Sequence, residues 1–332
     1  MNPFHPAFTQ TGIMKKKLFL LLLTGLFSIG LFAQTFNQPS YAERAVKLLS
    51  SFKQDTLAMI QRPFEDTLRI HWARLPGQRP GLKLSYFSET QKIALHELLR
   101  SCLSTQGYLT VTAVMFNEDI EEKKQPELGR NQYWVQIFGN PSSDNDWSWK
   151  LEGHHLSLNF TFRGNSMISN TPYLMSTNPA NSITDSVRAG LVILYKEEEL
   201  GRALVHSLTP VQIKKGYDPR KKTDIVYSEQ NKSAIRVPDE GIYYRELNKV
   251  QQELLKSLVA EYFNNFNPQD VTPVNDFCNE KLRFFYVENQ EKGKPHYYRL
   301  ENGKQIIEYE NYDNHIHCFY RTNNDFGKAF VK

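Results

Sequence analysis

The chain has 332 residues, 40% of them hydrophobic and 13% aromatic, which is long and apolar enough to bury a sizeable core. Its formal net charge is +4, and three of the positive charges, Lys15 to Lys17, lie in a segment that we expect to be removed. A mature chain so close to neutrality is not typical of a protein that binds nucleic acid or an anionic membrane, and we expect neither partner.

The N-terminal residues have the parts of a secretory signal peptide. Lys15 to Lys17 form a basic region, and an apolar run from Leu18 to Ala33 follows. The run is shorter than the roughly 20 residues that span a bilayer. The sequence predicts cleavage after Ala33, leaving no stable membrane anchor, and export to the periplasm or the medium. A retained anchor is the alternative, and Met14 is an alternative start.

Helix signals recur along the mature chain. Apolar residues at helical spacing follow Ser40, a suitable N-cap, and Ser88 to Gln91 forms a capping box before a second such run. Thr209 to Gln212 repeats the capping signal, with proline at the first helical position. These patterns predict helices over 41–52, over 89–106, after 209 and over 245–265, and a strand over 68–75.

The second helix and the last share an internal pattern. Gly81-Leu82, Gln91, Leu95, Leu98 and Leu99 recur 160 residues later as Gly241-Ile242, Gln251, Leu255, Leu258 and Val259. Each helix precedes an aromatic strand pair, although the second pair requires an offset of 149. The pattern favours two degenerate repeats; leucine spacings shared by chance are the alternative.

These elements predict an α+β fold, with helices packed on antiparallel β-meanders in one compact unit. We divide the chain into a signal peptide (1–33), an N-terminal helical and strand segment (34–75), a first helix-plus-sheet half (76–213), a connecting segment (214–239) and a second half (240–332). Cys102, Cys278 and Cys318 are odd in number and widely spaced. They exclude a disulfide framework and are expected to be small buried hydrophobes.

An unusual polar insert interrupts the stretch W-S-W-K-L-E-G-H-H-L-S-L-N-F, residues 147–160. Trp147 and Trp149 alternate in one phase, and the apolar residues after Leu156 alternate in the other. The phase changes near Gly153, which predicts a β-bulge within one strand. The bulge would put His155 and Asn159 on the polar face, with Glu152 and His154 beside it.

A second polar group lies near the C-terminus. Asn302-Gly303 predicts a two-residue hairpin turn, in which Tyr297 faces Glu308. If residues 311–314 form a four-residue loop, Glu308 also faces His317. Strand alternation then puts six polar or aromatic side chains on one face, with a core-like opposite face: Tyr297, Arg299, Glu308, Glu310, His315 and His317.

Two histidines at i and i+2, beside a cross-strand glutamate, suit a first-row transition metal such as Zn, Cu or Fe. An ion pair between Arg299 and Glu308 competes for the same carboxylate. A hydrogen-bonded cluster without metal and a solvated face are the other two interpretations.

Several motifs resemble a bacterial family of secreted proteins classified as a domain of unknown function. They are Q-Y-W-V-Q-I-F-G-N-P-S, W-x-W-x-x-E-G-H-H-L-S-L-N-F, N-P-A, P-H-Y-Y-R, E-Y-E-N-Y-D-N-H-I-H and D-F-G. The resemblance covers nearly the whole mature chain. The resemblance implies that the two histidine motifs are parts of the same domain. It does not imply any activity.

Our first functional hypothesis is a metal-dependent enzyme whose polar cleft forms where the two histidine motifs meet. His154, His155, Glu308, His315 and His317 are the candidate metal ligands, and a bound metal would act as a Lewis acid, activate water or carry out redox chemistry. Glu152 and Arg299 are the candidate catalytic residues, with Arg299 positioning an anionic group.

The rival hypothesis is a non-catalytic protein that binds a sugar or another small molecule. In that case a groove would be lined by Trp134, Trp147, Trp149, Tyr297 and Tyr298, and the histidines and glutamate would supply hydrogen bonds. Asn159 is a further candidate ligand-binding residue.

Overall fold

One large sheet organises the chain in the computed structural model, which describes Met1 and residues 38–330 apart from 124, 126, 127, 184, 223–226 and 229–236. The strands within this part are β1 (Gln61–Arg62), β2 (Leu82–Lys83), β3 (Trp134–Phe138), β4 (Asp146–Glu152), β5 (Leu156–Arg163), β6 (Ser166–Ser169), β7 (Tyr173–Thr177), β8 (Tyr217–Asp218), β9 (Ile242–Tyr243), β10 (Arg283–Glu288), β11 (His296–Glu301), β12 (Gln305–Asn311) and β13 (Ile316–Thr322).

The strand order is β1-β3-β4-β5-β7-β13-β12-β11-β10-β8, with β2, β6 and β9 paired to β3, β5 and β10. Only the edge pairs β1 with β3 and β8 with β10 are parallel among the described pairs. The centre of the sheet is therefore β7, which joins the strands of the first half to β13 of the second.

Helices cover one face of this sheet. They are α1 (Tyr41–Ser50), α2 (Gln54–Ile60), α3 (Glu89–Cys102), α4 (Thr105–Asn117), α5 (Asp119–Glu122), α6 (Tyr195–His206), α7 (Pro210–Gly216), α8 (Lys249–Phe263) and α9 (Val274–Phe277). Ser40, Ser88 and Thr209 each accept a hydrogen bond from the backbone N–H three residues later, and each capping box is complete. The fold is α+β, as the sequence predicted.

The two faces of the sheet differ in chemistry because side chains alternate along each strand. One face carries Trp147, Trp149, Tyr298 and Tyr309, which are buried with the leucines of α3 and α8 in the main core. The other, here called the polar face, is also buried. Its polar residues include Gln136, Ser148, Lys150, Glu152, Ser157, Asn159, Thr161, Ser176, Arg299, Glu301, Glu308, Glu310, His317 and Arg321.

The stretch 147–160 is a hairpin rather than one bulged strand. Glu152 pairs with Ser157 and Leu151 with Leu158, so the chain reverses at His154-His155. The reversal explains why the apolar residues change from odd to even positions. Residues that pair across a two-residue turn, such as Leu151 and Leu158, lie on the same face of the sheet although one number is odd and the other even. Gly153 is required for another reason: a Cβ there would overlap the ring of Tyr133. The predicted bulge is therefore wrong.

Both C-terminal turns differ from the prediction, yet the polar face is preserved. Arg299 pairs with Glu308 and Tyr297 with Glu310, because the first turn is centred on Gly303-Lys304 rather than Asn302-Gly303. Glu310 pairs with His317, since Asp313 and Asn314, both with positive φ, form a two-residue turn in place of the four-residue loop. Each correction moves the register by two residues, which leaves every side chain on its predicted face.

The remaining predictions of secondary structure include one wrong strand and several missed helices, whereas the prediction for the cysteines is confirmed. Residues 67–70 form a 3₁₀ helix and 71–75 have no regular structure, so the strand predicted over 68–75 is wrong. The helices α2, α4, α5, α6 and α9 were not predicted. The three cysteines are free and buried, as expected.

Three sequence-level predictions stay open. Both segments related by the offset of 160 contain a two-residue strand, a 3₁₀ turn and a capped helix, but the repeat itself and the segment boundaries stay predictions. Apart from Met1, the predicted signal peptide lies outside the described residues. Among the described helices, none has the length and apolar character to cross a bilayer.

Candidate metal centre

The two histidine motifs meet beside the central strand. β5 and β13 both run antiparallel to β7, one on each side, so both begin at the same end of the sheet. The β4–β5 turn delivers His154 and His155 to that end, and the β12–β13 turn delivers His315. His155 accepts a backbone hydrogen bond from Ser176 at 2.8 Å, and His317 pairs with Ser176 from the other side.

His155 and His315 are in direct contact. Their Nε2 atoms lie 3.2 Å apart, although the two residues are 160 positions apart in the chain. The ring of His154 stacks on that of His155 at a centroid distance of 3.8 Å, and the rings of His315 and His317 lie 4.5 Å apart. Four imidazoles therefore form one cluster, from two turns and one strand.

Glu118, at the junction of α4 and α5, holds the first pair of histidines. One carboxylate oxygen lies 2.9 Å from Nδ1 of His154, and the other lies 2.7 Å from Nδ1 of His155. The hydroxyl of Tyr133 donates a further hydrogen bond of 3.2 Å to the same carboxylate. Glu118 is 2% exposed. It is therefore a buried carboxylate, and it accepts these three hydrogen bonds.

Glu310 contacts one histidine of the second pair, His317. Its Oε2 atom lies 3.0 Å from Nδ1 of His317, and its side chain is 4% exposed. Arg74 approaches the same oxygen at 3.9 Å from a segment that covers the polar face. The cluster is thus bounded by a buried carboxylate at each end.

The electrostatics of the cluster favour an anionic Glu118 and neutral rings at His155, His315 and His317. Burial alone would raise the pKa of Glu118, but the hydrogen bonds from His154 and His155 outweigh it and lower the pKa to about 2. Burial lowers the pKa of His155, and burial together with neighbouring histidines lowers the pKa of His315 to about 2. Burial likewise lowers the pKa of His317 to about 3.

This arrangement directs imidazole lone pairs toward the middle of the cluster. Where Nδ1–H donates to a carboxylate, the neutral ring leaves Nε2 free to bind a metal, as in carboxylate–histidine–metal sites. Two imidazoles on one tetrahedral ion lie about 3.3 Å apart, given metal–nitrogen distances of about 2.0–2.1 Å. The separation of 3.2 Å between His155 and His315 fits that geometry.

The cluster also contains a second group of possible metal ligands. Ligand atoms of Glu118, His154 and His155 all lie within 4.8 Å of one another, and this buried group could hold a metal ion.

Comparison with known proteins identifies the family without assigning an activity. The model of a family described as a protein of unknown function, DUF3500, matches residues 36–328. The chain belongs to the DUF3500 family. Neither a curated protein nor a solved structure shows significant similarity to it.

In this DUF3500 protein, Glu308 and Arg299 form a separate buried group on the polar face. Glu308 accepts a hydrogen bond of 2.6 Å from the hydroxyl of Tyr297, and burial raises its pKa. Arg299 lies between the rings of Phe285 and Tyr227, at 4.8 Å and 5.4 Å, and is 1% exposed. Glu310, rather than Glu308, is the strand carboxylate that contacts His317.

The remaining predicted site residues of the DUF3500 chain lie outside the histidine cluster. Trp147 and Trp149 are fully buried in the main core, stacked on Phe162 and Phe160, which does not support contact with a ligand. Glu152 pairs with Lys150 at 3.1 Å and accepts a hydrogen bond from Ser157.

Asn159 is buried and donates a hydrogen bond of 3.1 Å to Ser157 and another of 2.8 Å to the carbonyl of Pro172. These side chains fasten strands and covering loops together.

Sequence reasoning missed Glu118 and Arg74. Glu118 follows α4, whose run T-V-T-A-V-M-F carries five β-branched or aromatic residues that disfavour a helix in isolation. Arg74 lies in an irregular segment for which the sequence predicts a strand. Neither position carries a local motif, so only the three-dimensional arrangement identifies them.

Proposed function

We propose that this protein binds one transition-metal ion through its histidine cluster and is a metal-dependent enzyme. The observation that carries the proposal is the contact of 3.2 Å between the Nε2 atoms of His155 and His315, with the Nδ1 atom of His155 hydrogen-bonded to buried Glu118. His154 and His317 are the adjacent candidate ligands.

Ser176 gives independent support. It is fully buried on the polar face, at the register position between His155 and His317. Its hydroxyl has no hydrogen-bond partner among the described residues. A buried hydroxyl without a partner is costly, and a metal-bound ligand beside the histidines would remove that cost.

The chemistry that a metal would supply here depends on its identity. Zinc would provide Lewis-acid catalysis and acidify bound water, whereas copper or iron would add redox chemistry. The protein's own contribution is to hold neutral imidazoles in fixed orientations through Glu118 and Glu310.

The rival hypothesis, a sugar-binding groove lined by tryptophans, has lost its main support because Trp147 and Trp149 belong to the core. We retain export to the periplasm or the medium as part of the proposal, on the basis of the N-terminal sequence from Lys15 to Ala33. Nucleic acid and a stable membrane anchor remain unexpected.

Elemental analysis tests the proposal. Protein prepared without an affinity histidine tag is offered Zn, Cu, Fe and Mn in turn, and we expect one tightly held ion per chain. The variant His155→Ala/His315→Ala should lose it, whereas His71→Ala/His206→Ala, which changes two exposed histidines, should retain it. Wild-type protein without stoichiometric metal would refute the metal site.

The enzymatic part needs a separate readout. A panel of chromogenic carboxyl and phosphate esters, together with an oxidase assay, is screened with metal-loaded and chelator-treated protein. Turnover that disappears with the chelator and returns with the ion supports catalysis. Stoichiometric metal without metal-dependent turnover of any probe would favour a metal-binding role without catalysis.

A further inference from the structure

We propose that Arg74 binds an anionic group of the substrate beside the metal centre, so that the substrate is a small organic anion such as a carboxylate or a phosphate ester. This inference rests on the proposed function and deepens it. It replaces Arg299, to which the sequence had assigned the same role.

The guanidinium of Arg74 lies beside the histidine cluster, next to Glu310. Its Nη1 atom lies 3.9 Å from Oε2 of Glu310, the oxygen that also contacts His317. The side chain of Arg74 is 26% exposed, whereas that of Glu310 is 4% exposed. Arg74 therefore lies at the boundary between the buried carboxylate and solvent, where a ligand can reach it.

The contacts of Arg74 leave its donors available. A distance of 3.9 Å is an ion pair but too long for a hydrogen bond. Among the described residues, no other partner of the Arg74 guanidinium is found. A guanidinium has five N–H donors in a planar fork that matches a carboxylate or phosphate, so Arg74 retains the capacity for a bidentate contact.

The backbone on both sides of Arg74 is anchored. Lys150, buried on the polar face, donates to the carbonyl oxygens of Leu68 and His71 at 2.9 Å and 2.5 Å. Trp72 is 3% exposed and packs edge-on against Phe319 with ring centroids 6.2 Å apart.

On the C-terminal side of Arg74, Arg79 donates to the carbonyl oxygen of Gly153, the residue before His154, at 3.3 Å. Arg74 is thus held in a segment fastened to the sheet at one end and to the histidine turn at the other.

The positions of the charges also favour an anionic ligand. An anionic group placed between a bound divalent ion and Arg74 would have a positive charge on each side in a partly desolvated site, where such interactions are strong. Arg299 cannot play this part, since it is 1% exposed between two aromatic rings.

Anion titration of cobalt-loaded protein tests the inference. Acetate and inorganic phosphate are added at constant ionic strength, and the visible absorption of Co²⁺ reports each anion that reaches the metal. We expect saturable binding to wild type and about tenfold to hundredfold weaker binding to Arg74→Ala, the range expected for loss of a charged hydrogen-bond donor. Arg74→Lys should be intermediate. Arg220→Ala removes an 88% exposed cation that follows the edge strand β8, away from the central strand β7, and should bind as wild type does.

The possible outcomes distinguish a failure of the Arg74 inference from a failure of the proposed metal centre. Cobalt bound by wild type and Arg74→Ala, with equal anion affinity, overturns the role of Arg74 and leaves the metal centre intact. Failure of wild type to bind cobalt or any other ion overturns the metal centre itself. If both Arg74→Ala and Arg74→Lys lose cobalt, Arg74 supports Glu310 structurally and the inference is wrong.

Discussion

The histidine cluster should make the metal-free protein sensitive to mild acid. Each buried histidine whose native pKa is lowered takes up its proton more readily in the unfolded chain, so unfolding is favoured as the pH falls. For His315 and His317 the loss of stability begins near the ordinary histidine pKa of 6.5 and continues down to about 2 and about 3. Above pH 6.5 their contribution to stability is fully present.

The size of the effect follows from the difference between pH 5 and 6.5, the ordinary pKa of a histidine, which applies in the unfolded chain. One and a half pH units at about 1.36 kcal/mol per unit give about 2 kcal/mol for each histidine. His315 and His317 should therefore reduce the free energy of unfolding by about 4 kcal/mol together at pH 5. Glu118 adds little in this range, because its contribution is lost only below its unfolded value of 4.5.

Urea denaturation in the presence of a chelator, at pH 7.5, 6.5, 5.5 and 5.0, measures this loss. The variant His315→Gln/His317→Gln should lose about 4 kcal/mol less than wild type between the extremes. His71→Gln/His206→Gln, with two exposed histidines, should follow wild type. The reasoning is refuted if wild type is as stable at pH 5.0 as at pH 7.5, or if the cluster variant loses as much stability as wild type.

Three further substitutions test the site and its framework. Glu118→Gln keeps the volume but cannot accept from both imidazole Nδ1 atoms, so metal affinity measured by chelator competition should fall about 10-fold to 100-fold; unchanged affinity would show that the carboxylate does not orient His155. Gly153→Ala places a methyl group against the Tyr133 ring and should cost about 1–3 kcal/mol in urea denaturation, while equal stability would contradict the close approach. Trp149→Ala should destabilise the fold by about 3–5 kcal/mol yet leave one ion per chain under saturating metal, and selective loss of metal at full stability would contradict its place in the core.

Local patterns were sufficient to predict much of the fold. The capping boxes at Ser88 and Thr209 located α3 and α7, because these hydrogen bonds form within a single turn. Period-two alternation placed Glu310, His315 and His317 on one face, and an error of two residues in each turn could not change that face. The family resemblance is confirmed by the match over residues 36–328.

The predictions that failed depended on long-range information. A phase change at Gly153 is equally compatible with a bulge and with a turn, and only the pairing of Leu151 with Leu158 decides between them. Glu118 comes from a helix that tertiary packing stabilises against weak local propensity. Glu308 was predicted to face His317, but Glu310 does so, because the turn at Asp313-Asn314 sets a different register between β12 and β13.

The contact between His155 and His315 has a consequence for how the molecule assembles. The two rings belong to segments separated by 160 residues, and each segment alone supplies only half of the cluster. An ion held by both would be a crosslink between distant parts of the chain, absent from the unfolded ensemble and stabilising only the complete sheet. Binding of an ion by both His155 and His315 would thus report that the two halves of the sheet have been joined at β7.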